Sequence, residues 1–310
     1  MSESFAEPRG GDVYRRITDK IALEIEHGAP MFNMPWYRSG ATLGRPVNAY
    51  TDMAYRGINV LALWVAAKSS GFGSRYWGTY KQWRMLDAQV RKGEHGTTIV
   101  FYKELEREVH GETENESSTE RQLVAKSSFV FNSDQVDGWR SPDLPEKNLI
   151  KTVEAAQFFV ENVGADIRHW GERAYYQPAG DFVQMPDRER FTGTTSTKAT
   201  ESYYATLFHE LTHWTGHKAR LDRDLSTRFR EQAYAMEELV AELGAAFLCA
   251  DLRVSSTPRP DHAAYISSWL AVLKDDKRAL FTAASKAANA ADYLDRLQPI
   301  GGSPERRKVE

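Results

Sequence analysis

Two histidines four residues apart, with a glutamate directly after the first, lie in the stretch FHELTHWTG at residues 208–216. On a helix, His209 and His213 leave the same face one turn apart, so both imidazoles can bind one metal ion. Glu210 is offset by one position, which directs its carboxylate towards the open coordination position where a water would be polarised. The spacing predicts a metal-dependent hydrolytic site with Glu210 as its general base.

Such a site needs a third ligand. A histidine six residues after His213 completes one known HExxH type, but Ala219 occupies that position. The other type takes a glutamate from a second helix, and residues 235–252 place Glu238 and Glu242 four apart on one face. A carboxylate on so apolar a helix is costly unless it is paired or metal-bound. We therefore predict Glu238 as the third ligand, in a gluzincin-like arrangement, and Glu242 as the group that orients a histidine.

The predicted donors indicate which ion would bind. Two imidazoles and a carboxylate favour one divalent ion, Zn²⁺ before Mn²⁺, although they suit both. The adjacent Glu237 is expected to face solvent. The alternative interpretation of the whole pattern is a buried helix pair that carries incidental histidines and glutamates.

Candidates for substrate-binding groups lie on either side of these helices. By analogy with known HExxH folds, the segment Gly180–Pro186 is expected to be an edge strand that pairs with an extended peptide. His262 and Tyr265 are candidates for stabilising an oxyanion. Both residue types also cap or pack helices, so a structural role for them remains open.

Two long helices must position the predicted ligands. Hydrophobic spacing predicts them over Glu201–Thr215 and Arg230–Leu252. The second helix carries Ala241, Ala245 and Ala246, whose small side chains would allow the two helices to approach closely.

The remaining elements follow from hydrophobic periods and from Gly and Pro punctuation. The acidic, Ser-rich run Glu104–Ser118 has no hydrophobic period and is expected to be a mobile hairpin loop. The other expectations are helices over Val13–Gly28, residues 54–71, Thr152–Val163 and Ala263–Leu297, a short helix and a turn within residues 76–96, strands over Thr97–Tyr102 and Phe129–Gly138, and a two-stranded hairpin over residues 174–186.

Composition indicates a globular protein with two domains. The 310 residues, 41% of them hydrophobic, can fill sizeable cores. No run of about 18 apolar residues and no signal-peptide pattern is present, so no membrane partner is expected. The single Cys249 cannot form an internal disulfide, and a cytoplasmic location is expected. Pro-rich punctuation at Ser141–Pro145 predicts domains at 1–145 and 146–310.

Charge is distributed unevenly along the chain. Residues 12–103 carry 13 Lys and Arg against 7 Asp and Glu, which gives +6, whereas the rest carries 27 against 36, which gives −9. A basic module that meets a polyanion is therefore expected in the N-terminal half.

Aromatic and cationic residues interleave within this basic segment. Aromatic faces stack on unpaired bases and cations follow phosphates, so this mixture suits single-stranded nucleic acid. The expected contact residues are those beside glycines or cations, together with nearby basic residues: Trp36, Tyr55, Arg56, Tyr76, Trp77, Tyr80, Lys81, Arg91, Lys92 and Lys103.

The order of motifs along the chain resembles that of a known family. The motifs are YRRITDKIALEIEHG, YRGINVLAL, YWGTYKQW, VRKGEHGTTIVFYK, FVFNSDQVDG, FHELTHWTGHKARL and EELVAELGAAFL. In this order they resemble the ArdC-type antirestriction proteins of conjugative plasmids, from about residue 13 to residue 297. The resemblance implies an α+β fold with two domains. These would be an N-terminal α+β domain that binds single-stranded DNA and a C-terminal, mostly helical, zincin-like metallopeptidase domain with a small antiparallel sheet.

The resemblance also implies a function, which is to protect incoming plasmid DNA from host restriction during conjugation. Its expected partners are single-stranded DNA and an unknown protein or peptide substrate. Two alternatives remain open at this point. One is a DNA-binding shield with a structural metal and no proteolysis, and the other is a free metalloprotease that cleaves a regulatory protein.

Overall fold

The computed structural model describes residues 10–28, 34, 44–110, 117–142, 148–193, 198–223, 231–255 and 263–299. Helix α1 spans Gly10–Gly28, and its apolar residues recur at helical spacing as buried Val13, Ile17, Ile21 and Ile25. These four side chains form the stripe that α1 buries against the rest of the protein.

Helix α2 spans Ile58–Ser70 and is buried over most of its length. It ends at Gly71, whose φ of 71° lies in the left-handed region that favours glycine. Helix α3 is the short segment Tyr80–Met85, and the Thr79 side chain caps it by accepting a hydrogen bond from the Gln82 amide.

The described residues of the N-terminal half form six strands in two sheets. They are β1 (Val47–Asn48), β2 (Tyr76–Gly78), β3 (Gln89–Val90), β4 (Thr97–His110), β5 (Ser117–Asn132) and β6 (Val136–Asp137). A four-stranded sheet has the order β1-β2-β5-β4, and β3 pairs with β6. The prediction of a loop over Glu104–Ser118 is wrong where the structure describes it, because β4 continues to His110 and pairs with β5 as far as Ser117.

The C-terminal half is mostly helical. It contains α4 (Leu149–Val163), β7 (Asp166–His169), β8 (Tyr175–Gln177), β9 (Phe182–Met185), α5 (Ala199–Thr215), α6 (Glu231–Asp251), α7 (Ala263–Asp275) and α8 (Ala279–Arg296). The helix predicted over Ala263–Leu297 is two helices, since the chain turns at Asp276, whose side chain accepts a hydrogen bond from the Arg278 amide at 2.8 Å. The small sheet is mixed rather than purely antiparallel, because β7 runs parallel to β9.

The two halves share one continuous hydrophobic core, which includes residues of α1 and α2 together with residues of α5, α6 and α8. Polar contacts reinforce this packing: Thr18 donates to the carbonyl oxygen of Lys277 at 2.8 Å, and buried Arg45 pairs with Asp251 at 2.7 Å. The N-terminal helices therefore support the helices that carry the predicted ligands.

In the part of the chain that the structure describes, no helix combines the length and the apolar character needed to cross a bilayer.

Candidate metal centre

Helices α5 and α6 approach each other closely beside the predicted ligands. A Cβ atom built on Gly244 would lie 2.5 Å from Cγ2 and 2.6 Å from Oγ1 of Thr212, distances that real Cβ atoms do not show. The side chains of Ala241 and Ala245 on the same helix are also buried. Glycine at the crossing point therefore allows α6 to carry its carboxylates up to the histidines of α5.

The structure brings His209, His213 and Glu238 together. One donor atom from each of the three lies within 4.8 Å of the others. The Nε2 atoms of the two histidines are 3.2 Å apart, and the Glu238 carboxylate lies 3.4 Å from Nε2 of His209 and 3.5 Å from Nε2 of His213. Two imidazole nitrogens and a carboxylate that converge in this way match the donor set of a three-ligand zinc site, so these residues fit a divalent ion.

The other nitrogen of each imidazole lies beside a further carboxylate. Nδ1 of His209 is 3.5 Å from Glu242, and Nδ1 of His213 is 3.3 Å from Glu237. Such carboxylates fix the ring orientation and the tautomer of a metal-binding histidine. Glu242 thus lies where the sequence predicted it.

The prediction that Glu237 faces solvent is wrong. Its side chain is buried, and Arg223 binds it through two nitrogens, with Nη2 2.9 Å from Oε1 and Nε 3.2 Å from Oε2. The same guanidinium donates to the carbonyl oxygen of Thr212 at 2.6 Å and to Oγ1 of Thr215 at 2.8 Å. Arg223 therefore ties the carboxylate beside His213 to the last turn of α5, a role that the sequence analysis did not identify.

Burial and charge act against each other in this cluster. Burial alone would lower the pKa of His213, but the charge of Glu238 and the hydrogen bond to Glu237 raise it to about 10. Burial raises the pKa of Glu238, and the charges and hydrogen bonds of His213 and His209 together outweigh this and hold the pKa well below its usual range. The pKa of Glu237 is lowered because hydrogen bonds from His213 and Arg223 outweigh the effect of burial. A cation is therefore favoured between these carboxylates, and a metal ion that binds there displaces a proton.

Glu210 lies on α5 next to His209 and is only 3% exposed. A carboxylate held out of water beside a cluster of metal-binding groups can accept a proton from a polarised water.

The segment predicted to pair with a substrate peptide is not an edge strand. Strand β9, which contains most of Gly180–Pro186, lies between β7 and β8 and hydrogen-bonds to both. Its backbone groups are therefore engaged, and the edges of this sheet are β7 and β8.

The sheet is joined to the end of the histidine helix by Arg220. Its Nη1 donates to Asp181 at 3.0 Å, its Nη2 donates to the Tyr176 hydroxyl at 3.2 Å, and its Nε donates to the carbonyl oxygen of Trp214 at 2.6 Å. The guanidinium also lies 3.8 Å from the centre of the Trp214 ring. This cluster holds the β8–β9 turn against the C-terminal turn of α5.

Several predicted residues cannot be placed. Trp36 and His262 lie outside the described residues, and so do the side chains of Tyr265 and Lys103.

Two predicted nucleic-acid contacts are wrong. Tyr76 and Trp77 are only 6% and 1% exposed. Tyr76 packs edge-on against Trp139 at 5.3 Å. Trp77 packs edge-on against Phe72 at 5.9 Å. Both aromatic rings belong to the core of the N-terminal half.

The other predicted contacts differ in exposure and in whether another side chain binds them. Tyr80, Lys81 and Lys92 are exposed. Arg91 is exposed but pairs with Glu94 at 2.9 Å. Of the remaining pair, Tyr55 is half-buried beside Asn48, and Arg56 forms an ion pair with Asp292.

Comparison with known proteins gives relatives that cover nearly the whole chain. The uncharacterized protein y4eC of Sinorhizobium fredii (strain NBRC 101917 / NGR234) is 47% identical over 291 residues, which span 93% of this chain and 92% of that protein. The DNA primase TraC of Escherichia coli is 33% identical over 90% of this chain, which corresponds to 19% of TraC.

Two crystal structures of the antirestriction protein ArdC from the R388 plasmid are similar throughout. The metal-free structure has a TM-score of 0.75 at 42% identity, and the Mn(II)-bound structure has a TM-score of 0.72 at 39% identity. Each comparison covers 93% of this chain and 98% of the other. The second structure shows that this relative binds a divalent metal.

Family models match both halves. Residues 11–135 match the N-terminal domain of anti-restriction factor ArdC, and residues 154–286 match the zincin-like metallopeptidase family MPTase-PolyVal. The fold and the site thus define a two-domain α+β protein whose second domain is zincin-like, which confirms the predicted fold class. The chain belongs to the ArdC antirestriction family, as the order of its motifs predicted. The predicted domain boundary at 145/146 falls between the two matched regions and stays a prediction.

Proposed function

We propose that this chain is an antirestriction protein that binds single-stranded DNA and carries a metal-dependent peptidase domain, with which it protects incoming plasmid DNA from host restriction during conjugation. The observation that carries the proposal is the convergence of His209, His213 and Glu238 within 4.8 Å in a member of the ArdC family.

His209, His213 and Glu238 would hold the metal, which we take to be Zn²⁺ or Mn²⁺. When bound, the ion supplies a Lewis acid that lowers the pKa of a water and polarises a peptide carbonyl. The role of Glu210 would be that of the general base, which takes a proton from the attacking water and returns it to the leaving amine. Burial of Glu210 excludes competing water from the carboxylate.

The carboxylates and the arginine around the ligands act on the ligands rather than on the substrate. Glu242 lies 3.5 Å from Nδ1 of His209, and Glu237 is hydrogen-bonded to Nδ1 of His213 with its own position set by Arg223. These groups turn both Nε2 atoms towards the same point and keep them there.

Charge and exposed aromatic residues support the nucleic-acid part of the proposal. Residues 12–103 carry a net charge of +6. On the sheet of the same half, Phe101, Tyr102 and Phe129 are 45%, 51% and 54% exposed. Exposed rings beside cations suit unpaired bases.

The test replaces Glu210 with Gln, which removes the proton acceptor and keeps the size of the side chain. Metal content, single-stranded DNA affinity, cleavage of an unfolded protein and protection in a conjugation assay are measured for wild type and for E210Q. The matched control is E154Q, which changes an exposed glutamate on α4. We expect E210Q to retain metal and DNA but to lose cleavage and protection, whereas E154Q behaves as wild type. Full protection by metal-loaded E210Q would refute the peptidase mechanism.

A second candidate function is a DNA-binding shield with a structural metal. The observation that favours it is that β9 lies between two other strands, so the segment expected to bind a peptide offers no free edge. For such a shield, protection survives in E210Q and is lost when the metal-binding histidines are replaced, because the metal then stabilises the fold only.

A further inference from the structure

A cavity of about 290 Å³ lies between α1, α2 and the start of β4, away from the metal centre. Its apolar walls include Ile17, Ile21, Ala62 and Phe72, and it also contacts His95. The volume is close to the lower end of the range for ligand sites, about 300 Å³. One small ring system would fill it.

Two cations on α1 line this cavity. Arg16 and Lys20 are four residues apart on the helix and both are exposed. Nη2 of Arg16 donates to Oγ1 of Thr98 at 3.1 Å, which holds the guanidinium at the β4 wall. Within the described ranges, no carboxylate forms an ion pair with Arg16 or Lys20.

The acidic side chains of α1 that the structure describes have partners away from the cavity. Asp19 pairs with Lys277 and Glu26 with Lys274, both at 2.7 Å, on the side that faces the C-terminal helices. Glu24 accepts a hydrogen bond from Ser69 at 3.3 Å. Arg16 and Lys20 therefore lie at the cavity, whereas Asp19, Glu24 and Glu26 make contacts within the protein.

An exposed aromatic ring lies next to the same wall. Phe129 of β5 is the direct cross-strand partner of Thr98, the residue that binds Arg16, and it is 54% exposed. Cross-strand partners share one face of a sheet, so Phe129 lies on the face that carries the Arg16 contact.

We propose that this cavity binds one unstacked nucleotide of single-stranded DNA, with the base in the apolar interior, the flanking phosphates at Arg16 and Lys20, and a neighbouring base on Phe129. An apolar recess of this size, an exposed ring beside it and two edge cations that have no acidic partner among the described side chains are complementary to a nucleotide. The inference rests on the proposed binding of single-stranded DNA and assigns a site to it.

The experiment is fluorescence anisotropy of a labelled oligo-dT with the full chain, at several salt concentrations. The same oligonucleotide with abasic residues keeps the phosphates and lacks the bases. The variants are R16Q/K20Q, which removes the cations, A62L, which fills the interior, and F129A. The matched control is R15Q, an exposed arginine that neighbours Arg16 but does not line the cavity. S70L, which fills the cavity from an exposed position of α2, replaces A62L if that variant does not fold.

We expect R16Q/K20Q to weaken oligo-dT binding about tenfold and to lower the salt slope by about 1.4, since each phosphate contact on a single strand contributes about 0.7. A62L and F129A are expected to weaken oligo-dT binding about tenfold and to leave the abasic oligonucleotide unaffected. R15Q is expected to bind nearly as wild type.

If wild type binds oligo-dT in a salt-dependent way and all the cavity variants bind as R15Q does, the site is refuted and the proposed function stands. If R16Q/K20Q alone weakens binding, and equally for both oligonucleotides, only phosphates bind there and the nucleotide pocket is refuted. If wild type binds neither oligonucleotide, both the pocket and the proposed DNA-binding function are refuted.

Discussion

The candidate metal centre differs from the exposed cations of the N-terminal half, which we call the basic face, in how the charged groups are surrounded. Around His209 and His213, each imidazole lies between two carboxylates, and Arg223 binds one of these, all within a buried helix crossing. On the basic face, Lys20, Lys81 and Lys92 extend into solvent. Chemistry on a bound substrate needs groups whose positions are set in advance, whereas binding a polyanion needs cations that stay solvated until counterions are released.

This difference predicts two kinds of response to mutation. Replacing one group of the buried cluster leaves its partners unpaired in a low dielectric, so the effects should be large and independent of salt. Replacing one cation of the exposed face removes one contact among several, so the effects should be small, additive and screened by salt.

The largest expected effect is on the free energy of unfolding and concerns the aromatic core of the N-terminal half. Trp77→Ala removes a side chain that is 1% exposed and should lower the free energy of unfolding by about 3–5 kcal/mol. Tyr80→Ala is the matched control, since Tyr80 is 47% exposed, and it should change stability little while weakening DNA binding. Urea unfolding checks both. Equal stability of the two variants would mean that Trp77 is not part of the core.

The next effect concerns the proposed metal ligands. His209→Ala and Glu238→Gln should each weaken binding of Zn²⁺ or Mn²⁺ by more than about 100-fold, because the groups that only orient ligands already account for about 10- to 100-fold. Single-stranded DNA affinity should not change. Isothermal titration measures the metal affinity, with His217→Ala as the control from the same region of the chain. A normal metal affinity in His209→Ala would show that the metal does not bind at α5.

A smaller effect is expected at Arg223, which is not one of the three proposed metal ligands. Arg223→Met removes the guanidinium that holds Glu237, so the His213 ring loses its fixed orientation and metal affinity should fall about 10- to 100-fold. Lys218→Met, an exposed cation of the same loop, is the control. A loss of thermal stability in Arg223→Met with unchanged metal affinity would show that Arg223 has only a structural role.

The smallest effect is expected on the exposed face. Lys81→Gln combined with Lys92→Gln should weaken single-stranded DNA binding a few-fold and lower the salt slope by up to about 1.4, while metal affinity stays the same. Anisotropy at three salt concentrations measures the slope, with Lys151→Gln of α4 as the control. A salt-independent loss of binding would contradict a solvated contact surface.

The sequence predicted which residues of the candidate metal centre lie together better than it predicted which residues of the basic face are exposed, for a physical reason. A four-residue spacing on a helix sets the relation of His209 to His213 almost regardless of the rest of the fold. The helical pattern around Glu238 and Glu242 likewise indicated a shared face. Glu237 was predicted wrongly because its burial depends on Arg223, which belongs to the preceding loop and carries no periodic signal.

Exposure of aromatic residues follows no comparable local rule. Tyr76 and Trp77 adjoin a glycine and an arginine, yet both rings are buried, and for Tyr76 this depends on packing against Trp139, which is distant in the sequence. The break at Asp276 was missed because a side-chain turn there replaces the Gly or Pro that usually ends a helix.

The most direct test of the account is the position of the metal in this chain. Crystals grown with Mn²⁺ or Zn²⁺ would be measured at the absorption edge of the metal to locate it by anomalous scattering. The account predicts one strong peak, within about 2.0–2.2 Å of Nε2 of His209, Nε2 of His213 and a carboxylate oxygen of Glu238. A peak bound by other side chains, or no peak in crystals of a chain that binds the metal in solution, would contradict it.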